Sequence, residues 1–344
     1  MDGDSSAADR VVEAIESGAT GEARAALDDL AAAPADARKD AVRELRAVAD
    51  EAPALFDGVA TALTPFLTDD ERSVRLTTAK LFVAVADGEP EAVIPAVEAL
   101  ADRLADDGEF YYVRARAAEG LGYVALDHPD AVASPDVLAD LRVGLTFDEP
   151  EVSEKLAKAL AFVALGDPDR LRHLVDRLAE HLDDDSEFVR FHVCTALAAV
   201  GSAHPGRLAE AVDPLVARLD DGNPHVRGRA AEALAAPARA GPDPALPVDR
   251  VAELTDSDEA FVADRARLLS ARLDGDGSRT DDGDRSTEDE AERAPLGSLE
   301  SIRRSTERAV EAMRSPDAEG ECPHCGLALR DTGPPMCPRC GAPR

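Results

Sequence analysis

The chain of 344 residues contains no tryptophan, only three tyrosines and nine phenylalanines. Aromatic side chains therefore cannot fill most of a core, and Ala, Leu and Val must do so. No stretch approaches the roughly 18 consecutive apolar residues of a membrane span, and the N-terminus MDGDSSAADR is acidic and polar. These absences predict a cytoplasmic protein with no signal peptide and no membrane association.

Lysine is also scarce. Only four of the 38 basic residues are lysines, whereas Asp and Glu together number 70, and the formal net charge is −32. An acidic surface with arginine in place of lysine resembles the proteins of extremely halophilic archaea, in which net charge supports solubility in concentrated salt. At ionic strength near ~1 M the Debye length is only ~3 Å. The charge therefore argues only weakly against nucleic-acid binding, and it gives no support for it.

A valine, followed in most cases by arginine, recurs every 36 to 39 residues. The positions four, eight and eleven residues after it are mostly apolar and share one face of a helix, and the fifth is small. A second apolar run that ends in an acidic turn precedes each valine. A period of this length predicts an all-α solenoid of six to seven stacked two-helix repeats. The valines are Val74, Val113, Val152, Val189, Val226 and Val262.

The fullest copy of the pattern, LDDGNPHVRGRAAEAL at residues 219–234, resembles the HEAT-repeat family in its short, phycobilisome-lyase-type form. The resemblance covers residues 55–273 and implies an α-α superhelix. It also implies a hydrogen-bonded ladder between the turn aspartate and the arginine after the valine. Ser153 and Ala263 replace that arginine, so we expect the third and sixth repeats to be less regular. The ladder pairs would be Asp69/Arg75, Asp184/Arg190 and Asp221/Arg227.

Composition divides the chain into four segments. We predict a HEAT-like solenoid over residues 1–273, with a degenerate first repeat at 8–50 that has helical runs on both sides of Pro34. Residues 274–295 are acidic and lack large apolar side chains, which predicts a flexible linker. Residues 296–314 form an amphipathic helix that could dock on the solenoid, pair with another copy or bind a partner. Residues 320–344 form a separate small module.

That last module carries two nearly identical knuckles, Cys-Pro-His-Cys-Gly and Cys-Pro-Arg-Cys-Gly. Their cysteines supply four thiolates, the donor set of a closed tetrahedral zinc site. The segment resembles the zinc-ribbon family, and we expect one structural Zn²⁺. A redox role for Cys-Pro-His-Cys is disfavoured because that motif needs a helix start in a βαβ fold. The predicted ligands are Cys322, Cys325, Cys337 and Cys340.

No catalytic residues are predicted. Cys194 lies in the small-residue column of the repeat, so it is expected to be a buried core residue. The HEAT-like deoxyhypusine hydroxylases carry repeated His-Glu dipeptides, and this chain has none. The HEAT-like DNA glycosylases use an aromatic and basic concave face, and tryptophan is absent here. Bilin lyases with this repeat type have no diagnostic motif by which to exclude them.

The third position after each valine is mostly basic. It lies about 120° from the apolar stripe, which predicts exposed side chains on the second helix of each repeat, and in HEAT-like stacks the second helices line the concave face. The column either accepts an acidic or extended partner segment or pairs with acids of adjacent repeats. With two aromatic residues on the same flank, the candidates are Arg116, Lys155, His192, Arg229, Arg265, Tyr123 and Phe162.

We therefore predict a non-catalytic scaffold or adaptor for protein partners of unknown identity, with the zinc ribbon as a second recognition module. Two alternatives stay open. One is a nucleic-acid-associated factor, since residues 322–344 contain three arginines and one aspartate, although the lack of aromatics there disfavours base stacking. The other is an enzyme of the HEAT-like lyase or hydroxylase type.

Overall fold

The structure is a computed structural model that describes residues 7–147, 149–238, 246–274 and 294–314. Across these ranges the chain forms helices, turns and bends, with no strand, as the all-α prediction requires. The predicted zinc ligands Cys322, Cys325, Cys337 and Cys340 lie outside the described residues, as does most of the predicted linker.

The chain divides into two compact units, Met1–Ala196 and Leu197–Arg344. The described part of the N-terminal unit contains helices α1 (Ala7–Glu16), α2 (Thr20–Ala31), α3 (Ala35–Glu51), α4 (Ala60–Leu63), α5 (Arg72–Gly88), α6 (Pro90–Val93), α7 (Val97–Ala105), α8 (Tyr111–Asp127), α9 (Pro129–Val132), α10 (Pro135–Gly144), α11 (Pro150–Gly166) and α12 (Val175–Ala179). Helix α13 (Glu187–Ala203) contains the point of division. The C-terminal unit contains α14 (Val212–Ala217), α15 (Pro224–Ala238), α16 (Val248–Thr255), α17 (Ala260–Leu273) and α18 (Leu299–Arg314).

The repeating valine marks the start of the second helix of each repeat. In α5, α8, α11, α13, α15 and α17 it is the third residue of the helix, and in all six its side chain is fully buried. The predicted repeat frame is therefore confirmed, and the third and sixth copies keep it although Ser153 and Ala263 replace the arginine.

The second helices pack side by side. Helix α3 packs on α5, α5 on α8 and α8 on α11, while α7 and α10 pack against α8 and α11; in the C-terminal unit α15 packs on α17. Small residues allow this approach. A Cβ on Gly122 of α8 would lie 2.7 Å from the Cα of Ala159, and one on Gly166 of α11 would overlap the carbonyl oxygen of Ala125. At these points the helix backbones themselves are in contact.

In most repeats the first helix is shorter than the second and interrupted, unlike the single helix that the sequence predicts, although α16 is one short helix. Helix α6, a 3-10 turn at Ile94–Ala96 and helix α7 together form one such element. Pro95 lies in this turn and lacks the N–H group that would continue the α-helical ladder. No helix within the described ranges is long and apolar enough to cross a membrane.

The predicted arginine ladder exists, but with different acceptors. The Nη1 of Arg75 donates to the main-chain carbonyl of Asp69 at 2.7 Å, and Arg190 and Arg227 make the same bond to the carbonyls of Asp184 and Asp221 at 2.8 and 2.7 Å. The three aspartate carboxylates instead accept main-chain N–H groups two residues further on. The aspartate therefore shapes the turn, and the arginine fastens the helix start to it.

Links between successive repeats of the N-terminal unit use other pairs. Arg38 of α3 donates to both carboxylate oxygens of Asp69, at 2.6 and 2.9 Å, and Arg75 binds Glu109 in the same bidentate way at 2.7 and 2.9 Å. Burial alone would raise the pKa of Asp69, but the hydrogen bonds from Arg38 and from the Glu71 N–H, together with the charges of Arg38 and Arg75, hold that pKa below its usual value. The degenerate first repeat thus takes part in the ladder through Arg38, which the sequence pattern did not reveal.

Candidate interaction surfaces on the second helices

The basic column is not exposed as predicted. His192 and Arg229 are fully buried and Arg265 is 5% exposed, and the side chains of Lys155 and Arg116 are 12% and 30% exposed. The prediction of an exposed column is therefore wrong. An angle measured on one isolated helix ignores the neighbouring second helices, such as α5 and α11, which pack on α8.

Two buried glutamates explain how these cations are held. Glu119 and Glu232 occupy the sixth position after the repeat valine, one helical turn beyond Arg116 and Arg229. Both glutamate side chains are at most 5% exposed. The sequence contained this signal, because a carboxylate three residues after a cation lies on the same side of a helix. Lys155 and Arg265 pair with an acid of the preceding repeat, as that alternative predicts, whereas Arg116 and Arg229 pair with an acid of their own helix.

In the N-terminal unit three cations converge on Glu119. Arg116 donates to Glu119 Oε2 at 2.6 Å, and the Nζ atoms of Lys155 and Lys158 each lie 3.3 Å from Oε1. Burial would raise the pKa of Glu119, but Lys155, Lys158 and Arg116 together hold that pKa well below its usual value. We call Glu119, these three cations and Lys80 the Glu119 cluster.

The two predicted aromatic residues contact this cluster through Lys158. Its Nζ donates to Tyr123 Oη at 2.7 Å, and it lies 4.2 and 5.2 Å from the ring centroids of Tyr123 and Phe162. The rings pack edge to face with centroids 5.2 Å apart. Phe162 is only 2% exposed, so it supports the cluster from within, whereas Tyr123 is partly exposed.

Lys80 adds a cation from the preceding repeat. It occupies the same sixth position on α5 that Glu119 occupies on α8, and it is partly buried. Burial lowers the pKa of Lys80, and the positive charges of Arg116 and Arg46 lower it further, against an opposing effect of Glu119. Among the described residues no hydrogen bond or ion pair reaches Lys80. Lys80 was not among the predicted site residues.

In the C-terminal unit the corresponding cluster is closed. Arg229 Nη1 and Arg265 Nε both lie 2.8 Å from Glu232 Oε2, and the N–H of Gly297 donates to Oε1 at 3.2 Å. The Phe261 ring stacks under Arg265, with its centroid 3.5 Å from Cζ. We call Arg229, Glu232 and Arg265 the Glu232 cluster.

Helix α18 lies on this second cluster. Arg229 Nη2 donates to Ser305 Oγ at 3.0 Å and to Thr306 Oγ1 at 3.2 Å. Ile302, Thr306, Ala309 and Val310 of α18 are buried. Of the three roles open for the amphipathic helix, the structure therefore shows docking on the repeats. An open cavity of about 320 Å³ between α17 and α18 is lined in part by Arg265 and Ser305.

Cys194 is fully buried, as its repeat column predicts. Within the described ranges no group of three or more His, Cys, Asp or Glu side chains is arranged to hold a metal ion. The described helices therefore offer two charged clusters as candidate sites, and both lie on the second helices.

Paired helices stacked in this way define an α-α repeat solenoid. A family profile of HEAT repeats matches residues 97–185 and 175–270, together just over half of the chain, and the protein belongs to the HEAT-repeat family. No curated protein matches the chain significantly.

Similar solved structures include engineered proteins and designed armadillo repeat proteins. An engineered protein superimposes with a TM-score of 0.60 at 24% identity, covering 78% of each chain. A designed armadillo repeat protein gives 0.55 at 21% identity, covering 62% of this chain and 99% of its own. A related design solved in complex with the peptide (KR)4 gives 0.53 at 21% identity over the same shares. These likenesses concern the fold.

Proposed function

We propose that this protein is a non-catalytic scaffold whose second helices bind polypeptide segments of partner proteins. One observation carries the proposal: the chain's own helix α18 lies on α15, with hydrogen bonds from Arg229 to two α18 hydroxyls. A surface that holds one amphipathic helix has the chemistry to hold another. The designed armadillo protein in complex with a peptide supports the same use of a similar fold.

The experiment is affinity capture of the tagged full chain from native lysate at high salt, followed by direct binding with the purified components. We expect one stoichiometric protein that binds the purified full chain again. Copurified iron or a chromophore would instead favour the hydroxylase or lyase alternative, and retention of nucleic acid that requires residues 322–344 would favour the nucleic-acid alternative. Either of these two results, if no protein partner is captured, contradicts the proposed scaffold function.

We further propose that Cys322, Cys325, Cys337 and Cys340 bind one structural Zn²⁺ and that this ribbon is a second recognition module. The support is the donor set, since two Cys-x-x-Cys knuckles supply four thiolates and leave no open position for substrate. Elemental analysis of the purified full chain is expected to give about one zinc per chain. A Cys337→Ser/Cys340→Ser variant should lose it, whereas Cys194→Ser should keep it.

The acidic composition also supports adaptation to concentrated salt in the cytoplasm of a halophile. On this proposal the midpoint of thermal unfolding rises as KCl is raised, because screening relieves repulsion among excess carboxylates. A midpoint that is independent of KCl, or falls with it, would contradict the proposal.

A further inference from the structure

The two clusters are equivalent by sequence position. Arg116 and Arg229 are third after their repeat valines, Glu119 and Glu232 are sixth, and Lys155 and Arg265 are third in the following repeat. Each cluster therefore consists of one carboxylate between cations of two successive second helices. In the Glu232 cluster this face is covered by α18, so it serves as the reference with which we compare the Glu119 cluster.

The two clusters differ in what covers them. In the C-terminal unit α18 supplies two hydroxyl acceptors to Arg229, which is fully buried. In the N-terminal unit, every hydrogen bond and ion pair that the described residues give Arg116, Lys155 and Lys158 goes to α8 or α11 themselves. The Arg116 side chain is 30% exposed. The Glu119 cluster is therefore the more open of the two.

The two clusters also differ in charge. The sixth position of the following repeat is Lys158 in the first cluster and Leu268 in the second, and Lys80 adds one more cation to the first. Four cations in the Glu119 cluster face the buried Glu119 and Glu154, which lies 3.3 Å from Lys155. A partly buried ammonium with no ion pair is destabilising. This excess of positive charge stands on a protein whose net charge is −32.

We propose that the face formed by Lys80, Arg116, Lys155 and Tyr123 binds an acidic polypeptide segment of a partner protein, whose carboxylates pair with Lys80 and Arg116. The proposal rests on the scaffold function and names the chemistry of its partner. In the Glu232 cluster α18 offers hydroxyl acceptors to Arg229; in the Glu119 cluster the partner would offer carboxylates to Lys80 and Arg116. In concentrated salt such direct, partly buried contacts persist, because interactions between exposed charges are screened beyond the Debye length of ~3 Å at ~1 M.

A polypeptide fits the cluster better than a nucleic acid does. A phosphate backbone would extend its negative charge beyond the cluster along a protein whose net charge is −32, at a cost in repulsion. An acidic segment can confine its carboxylates to the few positions that meet Lys80 and Arg116. Of the two rings that contact the cluster through Lys158, Tyr123 alone is partly exposed, and one exposed ring is too few for base stacking along a strand.

The experiment uses the full chain and two labelled synthetic peptides. The first has the α18 sequence LESIRRSTERAVEAMR, and the second carries Ser305→Glu and Thr306→Glu, which places carboxylates where α18 has its hydroxyls. Fluorescence anisotropy at one fixed high salt concentration gives both dissociation constants. We expect the glutamate peptide to bind about tenfold more tightly, because charge-assisted hydrogen bonds are stronger than neutral ones.

The variant Lys80→Gln/Arg116→Gln is expected to abolish this preference. Lys80→Gln alone removes a cation without an ion pair, so it is expected to fold normally and still to weaken binding of the glutamate peptide about threefold. The matched control is Arg43→Gln/Arg267→Gln, which removes two cations that are 63% and 60% exposed elsewhere and should leave the preference unchanged.

Three results would overturn the proposal. The first is equal binding of the two peptides, and the second is a preference for the glutamate peptide that persists in Lys80→Gln/Arg116→Gln. The third is that a single-stranded oligonucleotide competes with the peptide for wild type but not for this variant. The native partner separates this proposal from the scaffold function. If the captured partner binds wild type and Lys80→Gln/Arg116→Gln equally, the scaffold stands and the acidic-segment site fails. If wild type binds neither peptide nor any protein partner, both fail.

Discussion

The buried carboxylate at the centre of the Glu119 cluster makes a sharp prediction about stability. Glu119→Gln keeps the shape of the side chain and removes the negative charge that faces Arg116, Lys155 and Lys158. Removing one partner of a buried ion pair typically costs ~3–5 kcal/mol. Arg116 is 30% exposed and can turn to water, but Lys155 and Lys158 are only 12% and 9% exposed. We therefore expect a loss of about 3–4 kcal/mol from these two lysines.

That loss corresponds to a fall of about 10 °C in the unfolding midpoint of a unit of this size. Circular dichroism at fixed salt concentration measures it during thermal and denaturant unfolding. The matched control is Glu98→Gln on the exposed face of α7, which should change stability by less than about 0.5 kcal/mol. Adding Lys158→Met to Glu119→Gln removes one stranded cation and should recover at least about 1 kcal/mol.

Two results would refute this account of the cluster. One is a loss of less than about 1 kcal/mol for Glu119→Gln, which would mean that water solvates the lysines in the folded protein. The other is a double variant no more stable than Glu119→Gln alone, which would mean that Lys158 does not depend on the carboxylate.

Three further predictions concern the same helices. Arg38→Gln breaks a nearly buried pair and should lower the unfolding free energy by about 3 kcal/mol, whereas Arg43→Gln breaks an exposed pair and should cost less than about 0.5 kcal/mol in the same denaturant titration. Gly166→Ala forces a Cβ onto a neighbouring main-chain carbonyl and should cost about 2 kcal/mol or more, whereas Gly206→Ala has open space and should be neutral by thermal unfolding. Because the pKa of Glu119 is lowered in the folded state, its contribution to stability is full above its unfolded pKa of about 4.3. This contribution is lost as the pH falls through the folded pKa. Denaturant titrations at successive pH values should therefore show the unfolding free energies of wild type and Glu119→Gln converging below about pH 4. A difference between the two free energies that does not change with pH would contradict this.

Local pattern was enough to predict the repeat frame. The recurring valine predicted six second helices in one register, and in each of them it is the buried third residue. The same reasoning failed for Arg229 and Arg265. Glu232 lies one turn from Arg229 but on a different helix from Arg265, and the Arg229 contacts with α18 join residues 76 and 77 positions apart.

Part of the proposed acidic-segment site was predictable from the sequence, but its charge balance was not. Arg116 and Lys155 belong to the basic column that the repeat pattern predicts. The column alone does not reveal that Glu119 neutralises part of its positive charge. It also does not reveal that Lys80 of the preceding repeat adds another positive charge to the cluster. That balance depends on three neighbouring helices, and a pattern read along one helix at a time does not contain it.

The sharing of one carboxylate between successive repeats limits how this chain can gain or lose repeats. In an array of identical repeats any copy can be removed and its neighbours joined again. Here, deletion of the repeat that contains α8 would bring Lys80 of α5 against Lys155 and Lys158 of α11, with no acid between them. The repeats are therefore not interchangeable, because each one matches the charges of its own neighbours. We expect this protein to tolerate deletion of a repeat at an end far better than deletion of a repeat from the middle.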